Sequence, residues 1–136
     1  MNILVMNPND FQNGDYIKYQ SNRVLKITDA VNMQAEDENG AKLSYSNGCC
    51  PNIGLDDEVL RVIGFTKNNG VWRRREGQYL IKYDDNRAEC SISLNAQVLR
   101  NKSLSVLSAL QDFVRDYTGK ELPINHQTLA EYIRNL

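Results

Sequence analysis

Residues 55–65 read LDDEVLRVIGF, a complete short helix with both ends written into it. Asp56 is placed to accept the free amide of Val59. Asp57 and Glu58 stand in the first turn, against the positive end of the helix dipole. Leu55 before the cap and Leu60 inside it have the spacing of a hydrophobic staple. Val59, Leu60, Val62 and Ile63 supply an apolar face. Gly64 can adopt the left-handed conformation that ends a helix, and Phe65 can fold back on the last turn. Neighbouring positions on a helix point in different directions. Asp56, Asp57 and Glu58 therefore read as a capped first turn rather than a metal cluster.

Short strand signals lie on both sides of this helix. Asn13-Gly14 is a tight-turn pair, followed by an alternating Asp15–Tyr19. Val24–Thr28 alternates, with Leu25 and Ile27 on one face. Val31–Glu36 reads as a third strand and Ala41–Tyr45 as a fourth, across a turn at 38–40. Such a meander suits a small SH3-like barrel or a curled antiparallel sheet. Residues 46–52 read as a loop. After the helix, Lys67–Gly70 is a turn, and Val71–Arg75, Gln78–Tyr83 and Ala88–Leu94 form a second, three-stranded meander. Ser103–Tyr117 is the main helix, with Leu104, Leu107, Leu110, Val114 and Tyr117 recurring at three and four. Gly119 and Pro123 end it. Asn125 caps a last helix whose face is Leu129, Tyr132, Ile133 and Leu136. The expected class is α+β: one compact domain over 1–136, with sub-structure at 9–50 and 51–136.

Composition narrows the function. At 136 residues and 41% hydrophobic, the chain can bury a core and is not disordered. Sixteen basic residues face 17 acidic ones, so no global charge advertises a nucleic-acid or membrane partner. The start is apolar for only five residues and is not read as a signal peptide. No segment has the length of a membrane span, so no membrane partner is expected. Charge is nevertheless uneven. Residues 67–102 hold eight cationic side chains and four carboxylates, a local +4. Cys49, Cys50 and Cys90 are an odd number without a CxxC, and are read as reduced thiols of a cytoplasmic protein. A zinc site from these three and His126 would have the right ligand chemistry, but its spacing matches no zinc module. No metal or cofactor is expected.

Three stretches carry a resemblance: NDFQNGDYIKY at 9–19, LDDEVLRVIGF at 55–65 and LSALQDFVRDYTGKEL at 107–122. Together they resemble a family of small bacterial, prophage-type proteins of gut anaerobes that has no assigned activity. Members often carry a His just before the last motif, whereas residues 103–108 here have none. The resemblance implies the fold and an origin in mobile or accessory genes. It carries over no site residues.

Chemistry is sparsely signposted. His126 is the only histidine and reads as a solvated first-turn residue. Its pairing with a cysteine is the only nucleophile-and-base combination, and no recognisable signature surrounds it. No phosphate loop, dinucleotide fingerprint, HExxH or EF-hand is present. The strongest surface anomaly is Val71-Trp-Arg-Arg-Arg. Strand alternation sends Arg73 and Arg75 one way, and Trp72 and Arg74 the other. The plain reading is a charged edge strand that discourages aggregation, with Trp72 packed inward. The functional reading is a binding face built from Trp72, Arg73, Arg74, Arg75 and Lys82. The expected function is a non-catalytic interaction or regulatory protein with a protein partner. The alternative is a nucleic-acid-binding small barrel using the same residues, and an enzyme with a dispersed site is the third reading.

Overall fold

The computed structural model describes residues 11–20, 23–46 and 52–136. The described elements, in chain order, begin with β1 (Tyr16–Tyr19), β2 (Arg23–Asp29), β3 (Gln34–Glu36) and β4 (Lys42–Ser44). Then come α1 (Asp57–Val62), β5 (Thr66–Asn68), β6 (Val71–Glu76), β7 (Tyr79–Asp84), β8 (Glu89–Leu94) and β9 (Gln97–Ser103). The chain closes with α2 (Leu107–Thr118) and α3 (His126–Arg134). The fold is α+β, and its contacts divide it into two compact units. One holds the residues up to Ile53 together with Asn125–Leu136; the other is Gly54–Ile124.

The first unit is an open four-stranded antiparallel meander in the order β1-β2-β3-β4, not a closed barrel. Ile17 stands opposite Leu25, Ile27 opposite Ala35, and Ala35 opposite Leu43. These residues form one apolar face, and Phe11, Tyr19 and Tyr45 complete its buried cluster. Each large side chain so buried contributes about 1.5–3 kcal/mol. The turn before β1 is closed by Gly14, whose amide donates to the Ile27 carbonyl. Helix α3 packs along β2. Its cap is as the sequence indicates, with the Asn125 side chain accepting the Thr128 amide at 3.0 Å.

The strand expected over Val31–Glu36 is shorter. Asp29 accepts the Asn32 amide and the Asn32 side chain, which bends the chain into a turn. Val31 is 87% exposed at that turn, and Met33 adopts φ +53°. β3 therefore starts only at Gln34.

The second unit is a five-stranded antiparallel sheet ordered β5-β6-β7-β8-β9. The sequence suggested three strands. The two extra ones flank them: β5 arises because Asn69-Gly70 forms a tight turn (φ +53° and +80°) that returns Thr66–Asn68 onto β6. β9 arises because Asn95 and Ala96 both take positive φ and fold Gln97–Ser103 back on β8. Helix α2 therefore starts at Leu107 and not at Ser103, whose backbone belongs to β9. Its left-handed Gly119 closes it by donating to the Arg115 carbonyl. α1 matches its expected ends: the Asp56 side chain accepts the Val59 amide at 2.8 Å, and Gly64 sits at φ +95°.

Inner-face residues of this sheet are Trp72, Tyr83 and Cys90 in one cross-strand row and Arg74, Ile81 and Ile92 in the next. α2 packs against β8 on this side and buries Leu107, Leu110, Phe113 and Val114. The Tyr83 hydroxyl donates to the Leu104 carbonyl at 3.0 Å, tying sheet to helix entry. The opposite face of the sheet carries Arg73, Arg75, Leu80, Lys82, Ser91 and Ser93.

Candidate functional site

That opposite face gathers three of the residues singled out in the sequence. Arg73 on β6 stands directly opposite Lys82 on β7. Arg75 lies two residues along β6 on the same face, opposite Leu80. Across the next ladder Lys82 faces Ser91, and Leu80 faces Ser93. Arg73, Arg75 and Lys82 make no ion pair among the described residues. The Arg73 Nε is shielded from solvent and has no hydrogen-bond partner among the described residues. Carboxylates on this face stand at one end, where Asp84 is opposite Glu89, and Asp84 is engaged by Arg87 at 3.8 Å.

Directly opposed like charges in a ladder are destabilising by roughly 0.2–1 kcal/mol. Arg73 and Lys82 therefore carry a cost that no ion pair among the described residues offsets. Toward the β6–β7 and β8–β9 turns the face opens into a groove of about 590 Å³, lined by Arg75, Gln78, Lys82, Ser93, Asn95 and Val98. Cations, an amide pair, a hydroxyl and an aliphatic side chain suit an anionic ligand with a short apolar portion.

Trp72 and Arg74 are placed elsewhere. Trp72 is 1% exposed on the inner face, its indole N–H directed to Asp85 at 3.3 Å, with Arg61 and Lys67 over its ring. Arg74 pairs with Glu76 at 2.6 Å and donates to the Ile63 carbonyl at the end of α1. It holds a helix terminus, the role a cation serves best at the negative end of the dipole. The edge-strand reading also changes. β6 is flanked by β5 through Arg73 and is open only beyond it. Lys82 lies on β7, an inner strand, where guarding an edge explains no charge.

His126 and Cys90 are held within the packing of their own units. His126 places Nε2 2.8 Å from the Val24 carbonyl, and its ring meets Tyr16 edge-on at 4.9 Å, clasping α3 to the first sheet. Cys90 is fully buried, and desolvation pushes its thiol up to about 12, so the reactive thiolate is suppressed. Cys49 and Cys50 lie outside the described residues. No group of three His, Cys, Asp or Glu among the described residues is disposed to hold a metal ion. No described helix is long and apolar enough to cross a membrane.

Sequence reasoning missed Ser93, Asn95 and Val98 of the groove, and the cations Arg100 and Lys102 on β9. The outward parity of Ser91 and Ser93 was visible. β9 was not, because its turn lacks glycine. The chain matches no protein-family model, no curated protein and no solved structure among those compared.

Proposed function

We propose that this chain is a non-catalytic interaction module of the cytoplasm that binds an acidic surface of a protein partner. The face of the second sheet that carries Arg73, Arg75 and Lys82 is its docking site. The observation that carries the reading is the Arg73–Lys82 pair: two cations opposed across a ladder, with Arg75 beside them and, among the described residues, no carboxylate in an ion pair with any of the three. A partner carboxylate seated between Arg73 and Lys82 would convert repulsion into attraction and give the Arg73 Nε an acceptor. The accessory, prophage-type character implied by the family resemblance fits a small protein that acts by occupying another.

Burial of Trp72 favours a protein over a single-stranded nucleic acid. The stacking group such a ligand needs is on the inner face, and no aromatic side chain shares the outer face with the cations. Selection from a random displayed-peptide library tests the proposal. Wild-type protein should enrich Asp- and Glu-containing peptides. An Arg73→Ala/Arg75→Ala/Lys82→Ala variant with an unchanged fold should lose that enrichment. Equal enrichment by both proteins, or binding confined to nucleic acid, overturns it.

A further inference from the structure

β9 is the longest edge strand among the described residues. It runs for seven residues, against four for β1 and three each for β4 and β5. All seven are exposed, including Val98 at 54% and Leu99 at 44%. Short length already blunts the other edges. β9 instead presents an open row of backbone donors and acceptors, the feature that recruits another strand.

The register identifies which groups are open. The Leu104 amide donates to the Ala88 carbonyl at 2.9 Å, and Glu89 faces Ser103 in the same ladder. In an antiparallel pair, hydrogen-bonded and non-hydrogen-bonded positions alternate. Lys102 and Arg100 therefore direct their amides to β8, while Asn101 and Ser103 turn theirs to the open side. The side chains of Arg100 and Lys102 rise beside that edge, on the face that carries Cys90 and Ile92. Neither makes an ion pair among the described residues, although Arg100 lies over the Tyr117 ring at 5.5 Å. The strand, QVLRNKS, contains no carboxylate.

We infer that β9 accepts an extended acidic segment of a partner protein as a sixth strand. This rests on the reading that the partner is an acidic protein, and it adds a second contact at the sheet edge, on the face opposite Arg73 and Lys82. Asn101 and Ser103 supply backbone hydrogen bonds. Alternate carboxylates of the segment fall in the row of Arg100 and Lys102, where cross-strand opposite charges attract. A second copy of this chain is the poorer occupant. Antiparallel self-pairing centred on Asn101 sets Arg100 against Lys102 of the other copy. Centring on Lys102 sets the two Lys102 side chains together. Both registers oppose like charges.

The probe is a capped, fluorescein-labelled octapeptide of alternating Glu and Thr. It is titrated into the full chain beside the same peptide N-methylated at alternate residues and a Ser/Thr control. The Glu/Thr peptide should bind, and N-methylation should weaken it tenfold or more by removing two or three backbone bonds at unchanged charge. Amide hydrogen exchange at Asn101 and Ser103 should slow on binding, a readout that needs no variant. Asn101→Pro is expected to keep the fold, because proline is tolerated where the N–H faces away from the sheet. It should lose the same affinity. Equal binding of both Glu/Thr peptides, with exchange at Asn101 and Ser103 unchanged, overturns strand addition. The acidic-partner reading survives that result if the Arg73/Arg75/Lys82 triple variant still loses affinity. Failure of the Glu/Thr peptide to exceed the Ser/Thr control, with binding to a DNA duplex instead, overturns both. A dimer in solution that Asn101→Pro dissociates makes the occupant a second copy and overturns the proposal.

Discussion

Replacing Lys82 by Glu should stabilise the second unit while destroying its proposed function. Lys82 faces Arg73 across the β6–β7 ladder, where Cβ atoms of opposed residues are about 4.5–5.5 Å apart. The substitution removes a like-charge contact and creates an opposite-charge one, each worth roughly 0.2–1 kcal/mol, for an expected gain of about 0.5–1.5 kcal/mol. The Arg73 Nε also gains an acceptor. For a unit of this size, about 1 kcal/mol corresponds to a rise of roughly 4–8 °C in Tm. Urea unfolding at low and high salt is the assay. The gain should shrink with added salt, because Arg73 and Lys82 are partly exposed and such charges are screened over about 8–10 Å. A loss of stability, or a gain that salt does not alter, would refute the reasoning: Arg73 and Lys82 would not be repelling each other. A gain without salt sensitivity would point to packing instead.

Gly64→Ala should destabilise by about 2–4 kcal/mol. An alanine there is strained at φ +95°, and its Cβ would come within 2.9 Å of the Arg74 guanidinium that caps α1. A double-mutant cycle with Arg74→Ala should be non-additive, and additivity within about 0.5 kcal/mol would separate the two effects. Leu110→Ala, at a fully buried position of α2, should cost about 2–5 kcal/mol in denaturant unfolding. Cys90 supplies a pH test. Its folded thiol is raised by burial from 9.0 to about 12, so its contribution to stability is intact below the ordinary value and is lost as pH rises through that window. The decline should be at most about 1.4 kcal/mol per pH unit and should vanish in Cys90→Ala, with native protein resisting thiol reagents at neutral pH.

Helix ends were the most legible part of this sequence, because capping is a local contract. Asp56, Gly64, Gly119 and Asn125 all act within four residues of themselves. Strand parity was legible too: Arg73 and Arg75 were separable from Trp72 and Arg74 by period two alone. Even the Arg73–Lys82 pairing was latent, since a two-residue Gly77-Gln78 turn fixes it once both strands are recognised. β9 was not legible. Its residues are exposed on both faces, so no apolar alternation marks it, and Ala96 at φ +64° conceals a turn that glycine would have announced. Nor could any local pattern join α3 to β2, a pairing sealed by His126 and Val24 across 102 residues. That Arg75 makes no ion pair among the described residues was hidden for the same reason: sequence order shows Glu76 near both Arg74 and Arg75, and only the fold assigns it to Arg74.

The most direct measurement is the affinity of one library-selected acidic peptide for wild-type protein and for the Arg73→Ala/Arg75→Ala/Lys82→Ala variant across a salt series. Wild type should bind with an affinity that falls as salt rises. The variant, equally stable, should bind tenfold or more weakly and with little salt dependence. Indistinguishable affinities and salt slopes would contradict the claim that this face of the sheet is where the protein meets its partner.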